Sequence, residues 1–377
     1  MNTVVSSLPC EVQQRQALFW SWIDQAVQRL VVELAQKLLD LQMDAYLQAG
    51  WNQRTAQRVG YRNGYYRRAL TTAHGPVNLR VPRCRDRGFD SSVVFDRYQR
   101  RITDVERILR HAYLLGASTR GLSELAEQMF GGSVSHQTLS KLMRWLDGQL
   151  VLWRSQAIRP AYPVVYIDGM HVDKVGSDRT VMLAAGMRED QVLEVLGFCV
   201  SRGEQCTDLL EDLRRRGLDQ VRLFVSDDSA AIRSAIEQVY PLSAWQHCTF
   251  HRLSGLRRTL GSASHRDRMV AEAACIFRCE TREAALEVAG SWRERWQPVD
   301  PWATEKFLYG LRDRLRFYDL PKWWWKRLRT NNPLERLIRT LRSRLNPMGC
   351  FHDEPAIERA VFGQLLRWHK IKLTHNT

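Results

Sequence analysis

Between Pro163 and Phe250 the chain alternates short apolar runs with helical stretches, and two of those runs end on an aspartate. Val164-Val165-Tyr166-Ile167 leads into Asp168, and Val221-Arg222-Leu223-Phe224-Val225-Ser226 leads into Asp227. Runs this short and rich in β-branched residues read as strands, and strands interleaved with helices commit the region to a layered α/β sheet. Val164–Val175, Thr180–Met187 and Val192–Ser201 are expected as three consecutive antiparallel strands, turning at Gly176-Ser177-Asp178 and Glu189-Asp190. A helix over Cys206–Arg216 stops at Gly217 and the Val221–Ser226 strand follows. A second helix (Ala230–Val239) and a strand (Ala244–Phe250) complete the series.

The order β-β-β-α-β-α-β resembles that of the ribonuclease-H-like fold, in which the first and fourth strands lie side by side and would make neighbours of Asp168 and Asp227. A third carboxylate, Glu335, stands in the first turn of a basic helix announced by Thr330-Asn331-Asn332-Pro333. Two strand-borne aspartates and one helix-borne glutamate suit a pair of divalent ions, Mg²⁺ or Mn²⁺. The formal charge of +15, carried largely by arginine, points to a polyanion as the substrate of such ions. The expected fold class is therefore α/β: a ribonuclease-H-like catalytic domain with an all-α insertion, preceded by a helical and basic N-terminal DNA-binding region.

The domains read as follows. Residues 1–56 form a helical region, with Trp20, Ile23, Val27, Leu30, Val31, Leu34, Leu38 and Leu41 recurring at three- and four-residue steps as its apolar stripe. Residues 57–103 are a basic segment of strands and loops; from Arg58 to Arg110 thirteen Arg stand against five acidic residues, too many to be mutually paired. Residues 104–160 resemble a helix-turn-helix, with Ser135 as a cap and Ser135–Leu146 as the reading helix. There His136, Gln137 and Lys141 would lie near DNA and Arg120 on its backbone. Residues 161–250 hold the sheet and the first two aspartates, 251–329 the helical insertion, and 330–377 the glutamate helix and tail. The eight scattered Cys form no disulfide framework, and no run reaches the ~20 apolar residues of a membrane helix. Met1–Glu11 lacks a signal-peptide pattern. The protein is thus expected to be cytoplasmic, with no membrane partner.

Across roughly residues 50–369 the chain resembles the Mutator-type insertion-sequence transposases. The resemblance rests on Gly60-Tyr61, Val81-Pro82-Arg83-Cys84-Arg85, Gly116-Ala117-Ser118-Thr119-Arg120, Tyr166-Ile167-Asp168-Gly169 and Val225-Ser226-Asp227. It continues through Gln246-His247-Cys248-Thr249-Phe250-His251, Thr330 to Arg336 and Pro347-Met348-Gly349-Cys350-Phe351, in this order and spacing. It implies an acidic triad at Asp168, Asp227 and Glu335 that holds two divalent ions. It further implies binding to double-stranded terminal inverted repeats, cleavage at the element's ends, joining to target DNA, and a homodimer to handle two ends. The same resemblance implies a bacterial protein, nucleoid-associated when bound to DNA. The family's C-x2-H signature falls on Cys248 and His251. The chain departs from the pattern at Arg252, which leads into Leu253-Ser254-Gly255, at Asp208, and at Gln191, where Gly is common.

Other readings stand beside these. Asp168-Gly169 is also a hairpin signal, and Asp228 is read as the cap of the helix that follows Asp227. Asn332, Pro333 and Glu335 resemble a capping box, and Glu335 could equally be an ordinary ion pair. Cys248 and His251 have too few companions for zinc, so packing beside the site is the expectation. From Arg314 to Arg344 ten basic residues face two acidic ones, a phosphate footprint in which Arg336, Arg339 and Arg342, with Arg252 nearby, are DNA-contact candidates. Trp323-Trp324-Trp325 cannot all be buried, which leaves base stacking or domain packing. A domesticated DNA-binding protein, or a metal-dependent nuclease without strand transfer, are the alternative functions.

Overall fold

The structure is a computed structural model that describes residues 10–86, 88–96, 98–172, 179–202, 205–349 and 351–369. The chain divides into two compact units, Met1–Met143 and Arg144–Thr377.

In the first unit, helix α1 (Cys10–Leu47) packs on a hairpin of β1 (Arg62–Thr72) and β2 (Gly75–Cys84). Leu39 is fully buried with Leu70, Val77, Leu79 and Val81 from the hairpin, and Met43 and Leu47 with Cys84. The expected apolar stripe is therefore not the buried one. Trp20, Leu30, Leu34, Leu38 and Leu41 point to the other side of α1, because Val32, Ala35, Leu39 and Met43 supply a competing apolar face that the hairpin covers. Three of the arginines of this segment lie over aromatic rings: Arg68 stacks on Phe95 at 4.0 Å, Arg80 on Tyr65 at 4.7 Å and Arg83 on Tyr66 at 4.9 Å. Three short helices follow: α2 (Thr103–Leu114), α3 (Thr119–Phe130) and α4 (His136–Met143). Ser118 caps α3 through Gly121 N–H, and Gly131 ends it at φ 60°. Ser135 accepts from Thr138 N–H at 3.3 Å and starts α4 as expected, but the helix stops at Met143 rather than Leu146.

The second unit opens with α5 (Trp145–Ser155), which packs on the C-terminal helix of the chain. A five-stranded mixed sheet follows, built from β3 (Val164–His171), β4 (Arg179–Met187), β5 (Leu193–Arg202), β6 (Leu223–Ser226) and β7 (Ala244–His247) in the order β5-β4-β3-β6-β7. β3, β4 and β5 are antiparallel, whereas β6 and β7 run parallel to β3. The expected turn at Gly176-Ser177-Asp178 lies outside the described residues. The crossover helices α6 (Thr207–Arg215) and α7 (Ala230–Val239) cover one face with Val165, Ile167 and Phe224 beneath them. A Cβ at Gly197 would come within 2.9 Å of Leu209, so the glycine lets α6 lie close on β5. β7 ends at His247 rather than Phe250, because Thr249 already begins α8 (Thr249–Leu260).

Helices α9 (Arg266–Ile276), α10 (Arg282–Trp296) and α11 (Pro301–Leu308) pack with α8 around Met269, Trp292 and Phe307. Short 3₁₀ turns and α12 (Trp325–Leu328) bring the chain back to the sheet. Of the tryptophan triplet, Trp324 is buried and Trp323 exposed, while Trp325 donates to the Leu320 carbonyl. Helices α13 (Asn332–Leu345) and α14 (Glu354–His369) close the second face, and Arg359 grips Asp147 of α5 with bonds of 2.7 and 2.9 Å.

Candidate active site

Register and pleat fix the two aspartates. Tyr166 of β3 pairs with Val225 of β6, so Asp168 and Asp227 each stand two residues beyond one matched pair. Alternation gives Val165, Ile167 and Phe224 to the α6–α7 side, which leaves Tyr166 and Asp168, like Val225 and Asp227, on the opposite face. Both carboxylates are half-buried at the C-terminal ends of parallel strands, the end at which open α/β sheets present their sites. Asp168 Oδ1 accepts from Gly169 N–H at 2.8 Å, and β3 continues to His171, so Asp168-Gly169 is not a hairpin turn. Asp228 does not cap α7; Ser229 does, through Ile232 N–H.

The third carboxylate is brought in by α13. Tyr166 Oη donates to the Arg327 carbonyl at 3.2 Å, and the Arg329 carbonyl accepts from Thr249 N–H and Oγ1 at 2.9 and 2.8 Å. Asn331 then occupies the cap position, fully buried. Its Nδ2 donates to the Ile167 carbonyl and its backbone N–H to Cys248 Sγ, both at 3.3 Å. The first bond nails the start of the helix to the residue before Asp168, and the second ties it to Cys248. The expected capping box is not formed: the cap is Asn331 rather than Asn332, which puts Glu335 one position past the one a capping box uses, and Asn331 caps with no side-chain bond. Glu335 lies one turn along, with Oε1 at 3.5 Å from His251 Nε2. Leu334, Leu337, Ile338, Leu341 and Leu345 form the buried stripe, while Arg336, Arg339 and Arg342 face outward.

Cys248 is the residue before α8 and His251 stands in its first turn, so both point back at the glutamate. One ligand atom each from Cys248, His251 and Glu335 lie within 4.8 Å of one another. Burial pushes the Cys248 thiol up to about 11, so in the absence of metal it is a neutral packing and acceptor group. The third companion that the sequence could not supply is Glu335 itself.

Beside Asp227 opens a cavity of about 460 Å³ between α8 and α11, lined by Asp228, His251, Arg258 and Lys306 among others. At its rim sits a cluster with no clear sequence signal. Arg314 is 2% exposed and donates to His247 Nδ1 at 3.3 Å and to the carbonyls of Phe307 and Tyr309. Burial, then neighbouring Arg252, lowers its pKa to about 9. His247 is pulled down to about 3 by burial, then by Arg314 and Arg252. It is therefore a neutral acceptor, and its 3.4 Å approach to Asp228 is no ion pair. Arg252 binds Asp228 at 3.0 Å and the Lys306, Phe307 and Tyr309 carbonyls, which makes it a brace between α8 and α11. The remaining candidates, Arg120, Ser135, His136, Gln137 and Lys141, are all exposed and belong to the first unit.

Among the described residues, the ligand atoms close enough together to share one ion are those of Cys248, His251 and Glu335. Asp168 and Asp227, on neighbouring strand ends, are not part of that group. The exposed arginines of α13 can hold a phosphate chain alongside.

Comparison with known proteins follows the same direction. Residues 4–370 match the family described as "Transposase, Mutator family". The transposase for insertion sequence element ISRM5 of Rhizobium meliloti (strain 1021) is 30% identical over 355 residues, covering 91% of this chain and 88% of that protein. The transposase for insertion sequence element IS256 in transposon Tn4001 of Staphylococcus aureus is 29% identical over 360 residues, 92% of this chain and 90% of that one. A solved simian T-cell lymphotropic virus intasome in complex with PP2A regulatory subunit B56 gamma matches at a TM-score of 0.20 and 10% identity. It covers 54% of this chain and 64% of that one, a likeness too slight to bear on the fold.

Proposed function

Because the chain belongs to the Mutator family of transposases, we propose that it is a DDE transposase that cuts DNA at the terminal inverted repeats of its element and joins the 3′ ends to target DNA. The observation that carries this reading is the placement of Asp168 and Asp227 two residues beyond the Tyr166–Val225 register pair, with the cap of the Glu335 helix bonded to Ile167. The strand order β5-β4-β3-β6-β7 supports a ribonuclease-H-like catalytic domain, with 249–328 as its helical insertion.

Asp168, Asp227 and Glu335 would hold two Mg²⁺ or Mn²⁺ ions, whose chemistry when bound is to activate water or a 3′-hydroxyl and to stabilise the leaving oxygen. His251, 3.5 Å from Glu335, orients that carboxylate. Arg336, Arg339 and Arg342 hold the phosphates flanking the scissile bond. Asn331 keeps α13 in register with β3, so the third carboxylate reaches the site already positioned and loses little side-chain and backbone entropy on substrate binding. His136, Gln137 and Lys141 of α4 read the terminal repeat, with Arg120 on its backbone.

The test is strand transfer of a labelled terminal-repeat oligonucleotide by wild type and by Asp168→Ala, Asp227→Ala and Glu335→Ala. Cleavage and joining should both be lost in each variant while repeat binding survives, since other residues carry recognition. Retained joining in Asp168→Ala would sink the mechanism. Cleavage without joining by wild type would reassign the protein as a nuclease, and no cleavage as a regulator.

A further inference from the structure

One face of α1 is an apolar surface that the catalytic reading leaves unused. The inner face of the helix is occupied: Leu39, Met43 and Leu47 are fully buried, and Gln28 and Gln36 donate to the Pro76 and Arg80 carbonyls of the hairpin. On the opposite side Trp20 is 61% exposed, Leu30 53%, Leu34 55%, Leu38 48% and Leu41 54%. Ile23 and Val27, half-buried, complete a seam whose steps run three, four, three, four, four, three. That is three heptads from Trp20 to Leu41 with one position, Leu38, displaced by a single residue, carried on a helix of 38 residues, about 57 Å long.

The chemistry of the seam narrows what can cover it. None of its positions is Lys or Arg, so in a chain of net charge +15 it is not a surface for nucleic acid. Interfacial membrane helices turn a Lys- and Arg-rich face to water, whereas the other face here is already packed on β1–β2. A three-and-four spacing sustained over some twenty residues meshes with a straight helix of the same spacing, knobs into holes, and the same helix of a second copy supplies one. A two-fold pairing of identical seams also closes on itself and leaves no half-seam exposed.

The area agrees. Half-exposed aliphatic side chains leave about 40–50 Å² each to cover, and Trp20 and Phe19, which stands beside Trp20 on the edge of the seam and is also half-exposed, about 100 Å² each. Two copies then bury about 800 Å² of apolar surface, or about 1,300 Å² in all at the usual apolar share of an interface. That lies inside the range of stable dimers.

We propose that α1 pairs with α1 of a second copy along the Trp20–Leu41 seam, and that this two-stranded coiled coil makes the protein a dimer before any DNA is bound. The pairing needs neither the carboxylates nor metal, so it stands or falls separately from the transposase chemistry. Sedimentation velocity of the metal-free, full-length chain tests it. Wild type should sediment as a dimer at about micromolar concentration. Leu30→Glu with Leu34→Glu should sediment as a monomer there, its dissociation constant raised by about 100-fold or more. Circular dichroism checks that the glutamate pair still folds, as expected for changes on the face away from the hairpin. Should it unfold, Leu30→Ala with Leu34→Ala takes its place, with a dissociation constant raised by about tenfold or more. A dimer that survives in a folded variant assigns the interface elsewhere. A monomeric wild type means that the seam is covered by the chain's own surface, or by nothing, and ends the proposal.

Discussion

At the scale of single residues, the arginines show how far a count of charges can mislead. Within the basic stretch from Arg314 to Arg344, Arg314 is buried, Arg327 donates to the Gln191 carbonyl at 2.7 Å and Arg329 to the Phe277 carbonyl at 2.6 Å. Arg252 is likewise spent on carbonyls and Asp228. Backbone carbonyls carry no sequence signature, so a reading of side chains alone cannot tell a phosphate ligand from a structural brace. The outward arginines of α13 were legible because helical periodicity separates them from Leu334, Ile338 and Leu341.

The buried cluster has a consequence in pH. His247, with an ordinary pKa of 6.5 and a folded value of about 3, stays neutral in the native protein while the unfolded chain takes up a proton. Its contribution is therefore full above pH 6.5 and is lost as pH falls towards 3, at up to about 1.4 kcal/mol per unit. Since carboxylates titrate in part of the same window, the comparison is between wild type and His247→Asn, which keeps an acceptor for Arg314 but no proton. Urea midpoints from pH 6.5 down to 4 should fall less steeply in the variant; parallel slopes would refute the assignment. Cys248→Ala removes a fully buried Sγ and the acceptor of Asn331 N–H, and should cost about 1–2 kcal/mol in the same unfolding assay. Metal analysis of the purified wild type should find well under one zinc per chain, because Cys248, His251 and Glu335 lack the fourth protein ligand of a structural zinc site.

Among the elements, the strands of the second unit were readable to within a few residues, because short apolar runs ended by Gly, Asp or Pro leave little choice of boundary. The helix α1 was readable as a helix but not as to its buried side: it carries two apolar faces, and which one the chain covers depends on a hairpin that follows it in sequence. Equally invisible was the pin at Asn331, which exists only once β3, α8 and α13 meet. The β4–β5 turn shows the reverse case, a departure noted in sequence that acquires a physical meaning. Gln191 sits at φ 64°, in the left-handed region, with its N–H bonded to the Arg188 carbonyl at 3.0 Å. A side chain there costs about 1 kcal/mol that glycine avoids, partly offset by glycine's freer unfolded chain. Gln191→Gly should leave stability unchanged or raise it by about 0.5 kcal/mol, whereas Gln191→Val should lower it by more than about 1 kcal/mol. Unfolding midpoints of the two variants decide the matter, and equal losses in both would show that the turn is not held by this conformation.

For the whole molecule, the division into Met1–Met143 and Arg144–Thr377 separates the two kinds of candidate residue completely. Arg120, Ser135, His136, Gln137 and Lys141 lie in the first unit; the carboxylates and the α13 arginines lie in the second. If the first unit reads sequence and the second handles phosphates and chemistry, their defects must dissociate in the intact protein. His136→Ala with Gln137→Ala and Lys141→Ala removes side chains that are exposed on α4 and leaves Leu139 and Met143 in the core. The triple variant should lose preference for the terminal repeat over unrelated DNA, by about 1–3 kcal/mol for each base-directed contact removed, yet keep metal-dependent nicking of unrelated duplex. Replacing Arg336, Arg339 or Arg342 by Ala should do the opposite. Preference between sequences is kept, overall affinity falls, and the slope of log affinity against log salt becomes shallower by roughly one unit per arginine, as one phosphate contact fewer releases one counterion fewer. Binding isotherms at several salt concentrations, on repeat and unrelated duplexes, read both effects at once. A salt slope unchanged in all three arginine variants would place α13 away from DNA. Repeat preference intact in the α4 variant would move recognition to another surface, with the basic hairpin of β1 and β2, where Arg67 is exposed, next to be examined.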